Sequence, residues 1–240
     1  MKYEYRTYRL LGENKDLISF SVKIKETDLF IKATKNLTKK VERLVKKYRN
    51  DLERYILRNK KFLVSLIPLE DDNSAPLIVK EMIYYSKRVN VGPMAGVAGA
   101  IAFFVGKELL SYVDEFIIEN GGDIALFIKK ERIIYIYPGE ASPFKGKLFL
   151  RLTSCNKIYG IATSSGKIGP SLSFGKTDSV TILSSSPILS DMVATKLGNM
   201  VKTPDDIYNA INEGKKIRGV EGILITIGDK MGIWGNINLL

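Results

Sequence analysis

The sequence contains no histidine in its 240 residues. The commonest general base at neutral pH and the commonest transition-metal ligand are therefore both missing. Ser-His-Asp and Cys-His catalysis and hydrolysis at a histidine-held zinc are excluded, and any metal is expected to be a hard cation held by oxygen, Mg²⁺ first. Cysteine occurs once, as Cys155, which rules out an internal disulfide and any Cys-x-x-Cys site. With no secretory leader recognisable, the expectation is a cytoplasmic protein. Glutamine is absent while Lys, Glu and Ile abound, a composition compatible with a thermophilic source. No uncharged run reaches the ~20 apolar residues of a membrane-spanning helix. Neither G-x-G-x-x-G nor G-x-x-x-x-G-K-S/T occurs, which speaks against Rossmann and P-loop nucleotide sites.

What is present is enough apolar residue, 45%, to build a substantial core in one compact unit or in two intimately packed halves. The formal net charge is +11, and much of it falls in residues 35 to 61. There Leu37, Val41, Leu44, Val45, Tyr48, Leu52, Tyr55 and Ile56 recur at helical spacing, so the lysines and arginines line the outer face of an amphipathic helix. No recognised nucleic-acid motif accompanies it, and nucleic acid is not the expected partner.

Alternation predicts strands over 2–11, 17–25 and 29–34 before that helix. Helices are expected at about 75–88, capped by Asn73 or Ser74, and at 94–112, whose first half reads AGVAGAIA. Strands follow at 113–119, 123–129, 133–137, 147–152, 159–163 and 178–184. Helices open at Pro187 and near Thr203, and a terminal hairpin spans 222–227 and 231–234. Strands and helices thus come in mixed runs rather than in strict alternation. The expected class is α+β, with mixed, largely antiparallel sheets packed against helices.

Four stretches carry candidate chemistry. Asn120-Gly121-Gly122-Asp123 joins two apolar strands as a tight turn. The loop from Thr163 through Ser164, Ser165 and Gly166 to Gly175 is rich in Ser and Gly, and offers amides and hydroxyls to phosphate, with Lys167 or Lys176 adding charge. Asp191 and Thr195 stand four residues apart on one helix face, two hard oxygens suited to Mg²⁺. Taken without context, the ordinary account of those two residues comes first: a helix-dipole role for Asp191 and a bond from Thr195 to the preceding turn. The small residues of the helix after Pro93 suggest close approach of another backbone or a ligand.

In this order, Asn120-Gly121-Gly122-Asp123-Ile124, Ala162-Thr163-Ser164-Ser165-Gly166, then Ser190-Asp191 with Ala194-Thr195, the chain resembles the ApbE-like superfamily. VGPMAGVAGAIA, ENGGDI and SLSFGKTDSV are similar to a bacterial and archaeal branch of it. The resemblance spans about 91–201. It implies an ApbE-like, T-fold-like architecture and FAD:protein FMN transferase chemistry, in which FAD is bound with Mg²⁺ and FMN is passed to a Thr or Ser of a protein acceptor. It further implies a flavin-nucleotide site at Asn120, Gly121, Gly122 and Asp123 with Thr163, Ser164, Ser165 and Gly166. Asp191 and Thr195 would be metal ligands, joined by a backbone carbonyl within Ala95 to Ala102. One departure stands out. Members of the superfamily carry a histidine motif after the Thr-Ser-Gly loop, where this chain has Gly169-Pro170-Ser171-Leu172. A missing base costs ~10²- to 10⁴-fold, so the alternative is a non-catalytic protein that kept the pocket and lost transfer. The alanine-rich helix and the terminal hairpin are candidate homo-oligomer surfaces.

Overall fold

The computed structural model describes residue 9, residues 14–165 and residues 175–240. Its centre is one eight-stranded antiparallel sheet. Strands β1 (Ile18–Ile24), β2 (Thr27–Ala33), β3 (Phe116–Asn120), β4 (Asp123–Phe127), β7 (Tyr159–Ser164), β8 (Ser179–Ser184), β9 (Val220–Ile227) and β10 (Lys230–Gly235) lie side by side in that order. Each strand thus neighbours the next one in the chain, apart from a separate antiparallel pair, β5 (Arg132–Tyr135) and β6 (Phe149–Leu152). The C-terminal residues extend this small sheet: Leu239 bridges Leu150, and the Arg151 N–H donates to the Asn238 carbonyl at 2.8 Å. The strand expected at 2–11 lies outside the described residues except for Arg9.

The six α-helices among the described residues lie on one side of the large sheet. The basic helix α1 (Thr38–Arg58) buries Val41, Val45, Tyr48 and Leu52 and turns its charges outward, as the spacing predicts. Leu37 stands at its N-cap without a side-chain cap bond, and Asn36 Oδ1, one residue earlier, accepts the Thr38 N–H at 3.0 Å in a local turn. A short α2 (Lys60–Val64) follows, then α3 (Leu77–Val89), a 3₁₀ turn over Pro93–Gly96, and α4 (Val97–Leu109). Neither Asn73 nor Ser74 caps α3. Pro76 occupies the cap position, with no side-chain cap bond, and Ser74 instead closes a local turn on Asp72. The helix expected over 94–112 is therefore a 3₁₀ turn joined to a shorter α-helix. After β8 come α5 (Pro187–Met200) and α6 (Asp206–Lys215). No single helix is long and apolar enough to cross a membrane among the described residues.

Because side chains alternate along a strand, the sheet sorts its residues onto two faces. Phe116, Ile118, Ala125, Ala162, Val180, Ile182, Ile223 and Ile225 join the core formed with the helices. Ile117, Ile124, Leu126, Ile161, Leu183 and Leu224 join a second core against Ile134, Leu148, Leu150 and Leu152 of the small sheet. Both faces are therefore covered, which explains why β3 and β8 are buried along their whole length.

Candidate functional site

The turn between β3 and β4 has Asn120 paired directly with Asp123 and both intervening glycines at positive φ, 71° and 108°. A two-residue hairpin of this hand requires positive φ at both positions, which glycine supplies without strain. Three bonds fix the turn. Glu119 Oε1 accepts the Gly122 N–H at 2.9 Å, and the Gly122 carbonyl accepts the Thr163 N–H at 3.1 Å. Asn120 Nδ2 donates to the Ala98 carbonyl at 3.1 Å. Glu119 is itself held by Arg9, whose Nε lies 2.5 Å from Glu119 Oε2 and whose guanidinium also reaches Asp28.

Ala98 belongs to the first turn of α4, where the Val97 N–H donates to the Met94 carbonyl of the preceding 3₁₀ turn but Gly96 at the N-cap supplies no side-chain acceptor. Asp191, from the second turn of α5, supplies the missing acceptor: its Oδ2 takes the Gly99 N–H at 2.8 Å. The two helices come close because Gly99 faces the Pro187 carbonyl, which a Cβ there would approach to 2.3 Å. Pro187 in turn sits over Gly160 of β7, where an added Cβ would lie 2.4 Å from its Cα. Asp191 is only 8% exposed, and no salt bridge to it is found among the described residues. Burial pushes its carboxyl up to about 7, against the opposing pull of the Gly99 and Ala98 amides.

Thr195 stands one turn further along α5 and is half-buried. The Ser/Gly loop divides. Thr163 pairs with Thr181 across β7 and β8, and their hydroxyls share a 3.0 Å bond on the sheet face that carries Ile161, away from α5. Ser164 points the other way, toward Gly198 of α5. Ser165 is half-buried at the end of the strand. Gly166 and the loop through 174 lie outside the described residues. Asn120, Asp123 and Ser164 thus share the helix-side face with α5, whereas Thr163 takes part through its backbone.

This donor set fits a hard divalent cation. Asp191 is a buried carboxylate without a counter-cation, Thr195 adds a hydroxyl from the same helix face, and the Ala98 carbonyl keeps a second lone pair after accepting from Asn120. No group of three or more Asp, Glu, Cys or His placed to hold a metal ion occurs among the described residues, so water and ligand phosphates would complete the shell. An open cleft of about 770 Å³ lies elsewhere, lined in part by Leu126, Arg151, Cys155, Tyr159 and Asn238, and none of the nominated residues borders it. The convergence of hydrogen bonds on Ala98 and Gly99 is the stronger indicator of a built site, since an open cleft needs no converging groups.

The family model described as AbpE bacteria matches residues 9–231. The chain belongs to this ApbE-like family. A UPF0280 protein of Methanocaldococcus jannaschii is 41% identical over 220 residues, covering 89% of each chain. Among solved structures, the apo form of the flavinyl transferase ApbE of Pseudomonas stutzeri superposes with a TM-score of 0.59 at 11% identity, covering 91% of this chain and 94% of that one. The ApbE protein of Thermotoga maritima gives 0.57 at 11% identity, covering 92% and 97%. At such identities these likenesses establish the ApbE fold, and the α+β reading with largely antiparallel sheets agrees with them.

Sequence reasoning missed two features of this site. One is the anchoring of the turn by Glu119, whose only signal is a carboxylate three residues before Gly122. The other is the seating of Pro187 on Gly160; the close backbone approach at Gly99 is what the small residues of that helix lead one to expect. A glycine inside a strand marks close backbone approach, so Gly160 carried a usable signal.

Proposed function

We propose that the chain binds a flavin nucleotide, FAD or FMN, together with Mg²⁺ where the β3–β4 turn meets the facing ends of α4 and α5. The observation that carries this reading is the unbroken path from Asn120 through Ala98 and Gly99 to Asp191, which joins three separate segments at one buried carboxylate. In this reading Asp191 and Thr195 hold the metal. The Asn120–Asp123 turn, Ser164, Ser165 and Gly166 position the nucleotide. Mg²⁺, when bound, neutralises phosphate charge, the main requirement of phosphoryl-type transfer. Thr163 and Glu119 brace the turn from behind.

The test is a melting experiment. FAD with Mg²⁺ should raise the melting temperature, by an amount equivalent to about 2.7 kcal/mol at a hundredfold excess over Kd, and Asp191→Ala should abolish the shift. Absence of a shift with every flavin and nucleotide tried would refute the reading. Whether FMN is then passed to a Thr or Ser of an acceptor is a separate matter. The lack of any histidine favours the second reading, a binding protein without transfer activity. Covalent FMN on an acceptor protein incubated with FAD and this chain would decide for the transferase.

A further inference from the structure

On the far side of the helical layer, α2 and the segment after it present a ledge of aliphatic side chains to solvent. Leu63 is 50% exposed, Val64 71%, Leu66 62% and Ile67 69%. Four such residues within five positions exceed the scattered apolar exposure of an ordinary surface. The ledge is fixed in place. Phe62 is fully buried and stacks edge-on against Tyr55, the Ser65 carbonyl lies so close to Gly92 that a Cβ there would come within 1.8 Å, and Ser65 Oγ donates to the Ile67 carbonyl at 2.7 Å.

Its rim is cationic. Lys60 lies three and four residues before Leu63 and Val64 on the same short helix and shares their face. Arg54, Arg58 and Lys61 are exposed nearby, and none of these four makes an ion pair among the described residues. The adjacent carboxylates are held locally: Lys87 lies 2.8 Å from Asp71 and 3.7 Å from Glu70, and Asp72 accepts from the Tyr55 hydroxyl and from Ser74.

We propose that this ledge docks on an anionic lipid surface, with Leu63, Val64, Leu66 and Ile67 entering the headgroup boundary and Arg54, Arg58, Lys60 and Lys61 facing lipid phosphates. The charge pattern selects this occupant. A second copy of the chain would set one cationic rim against another, with the nearby carboxylates held by Lys87, Tyr55 and Ser74. The apolar part of the ledge is wholly aliphatic and has neither of the aromatic anchors, Trp and Tyr, enriched in protein interfaces. An aliphatic wedge edged with lysine and arginine is the composition of an interfacial membrane contact.

The experiment is co-sedimentation of the full chain with phosphatidylglycerol-containing vesicles and with pure phosphatidylcholine vesicles, at low and at high salt. Binding is expected on the anionic vesicles, weakening with salt and with loss of the anionic lipid. Lys60→Ala with Lys61→Ala should weaken it roughly thirty-fold, about fivefold per charge. Leu66→Asp with Ile67→Asp should remove it while the circular dichroism spectrum and melting temperature stay unchanged, since both side chains are exposed. Failure to bind anionic vesicles overturns the proposal, as does binding that survives both double variants. Sedimentation velocity showing a dimer that Leu66→Asp with Ile67→Asp dissociates, in a vesicle-inert protein, would assign the ledge to a second copy instead. None of these readouts depends on flavin or Mg²⁺.

Discussion

On one face of the large sheet, the central strands present Ala125, Gly160 and Ala162 to α4 and α5; on the other, the residues beside them, Ile124, Ile161 and Leu126, meet the small sheet. Small residues let helix backbone settle directly onto strand backbone, and a polar relay from Asn120 to Asp191 then needs no long side chain to span a gap. Large residues hold the second layer further off, and that side carries the open cleft. Precision of placement therefore belongs to the face with the least side chain. The two faces should respond oppositely to mutation.

The largest effect is expected from the second face, where charge rather than packing is at stake. Arg132 is 3% exposed and bonds the buried Glu115 at 2.6 Å as well as Asp16. Arg132→Met leaves Glu115 buried without a partner and should cost about 4 kcal/mol in urea unfolding, while FAD-dependent melting shifts survive in whatever fraction folds. A loss of ligand response equal to that of Asp191→Ala would show that the faces are not independent.

Next comes the direct contrast between chain neighbours. Gly160→Ala adds one methyl group against Pro187 and Ser190 and should cost about 3 kcal/mol, because backbone must move to admit it. Ile161→Val removes one methylene from the other face and should cost about 1 kcal/mol. Equal costs in chemical denaturation would dissolve the distinction between the faces.

Asn120→Ala sharpens it further. The change breaks the bond to the Ala98 carbonyl and should lower stability by about 1 kcal/mol, with a disproportionate loss of flavin affinity measured by titration. Thr163→Val, on the same strand system but facing away from α5, should lose comparable stability and leave affinity intact.

The smallest effect concerns pH. Asp16 is held well below the usual carboxylate range by its hydrogen bond to Arg132 and then by Lys130. Its folded pKa is thus depressed, so its contribution is present above the unfolded value and lost as pH falls. Since Asp16 is nearly half exposed, solvent screening limits the contribution to less than about 1 kcal/mol. Asp16→Asn should therefore be slightly less stable than the parent at pH 7, and the two unfolding curves should converge as the pH drops below about 4.

Much of the fold was legible because alternation and helical spacing leave periodic traces. The strands around Asn120-Gly121-Gly122-Asp123, the amphipathic α1 and the Pro187 opening of α5 all follow from local pattern. The pairing of β3 with β2 does not, since more than eighty residues, most of them helical, intervene. Within the candidate site, the turn and the Asp191/Thr195 spacing could be read directly. The role of Asp191 as acceptor for Gly99 could not, because a hydrogen bond between residues 92 positions apart has no period. The same holds for Thr163, whose hydroxyl is directed by its register opposite Thr181 rather than by the Ser/Gly richness of the loop.

That long-range bond to Gly99 also bears on how the chain folds as it is made. Strands join the sheet in the order of synthesis, so most pairing is available to a growing chain as soon as each hairpin emerges. Helix α4 is the exception, since its first turn waits for a carboxylate made 92 residues later. Until α5 arrives, the start of α4 should fray and exchange its amide hydrogens freely. The last step of core closure and the assembly of the site are then the same event, so slow-forming protection at Gly99 in a pulse-labelled refolding experiment would report both.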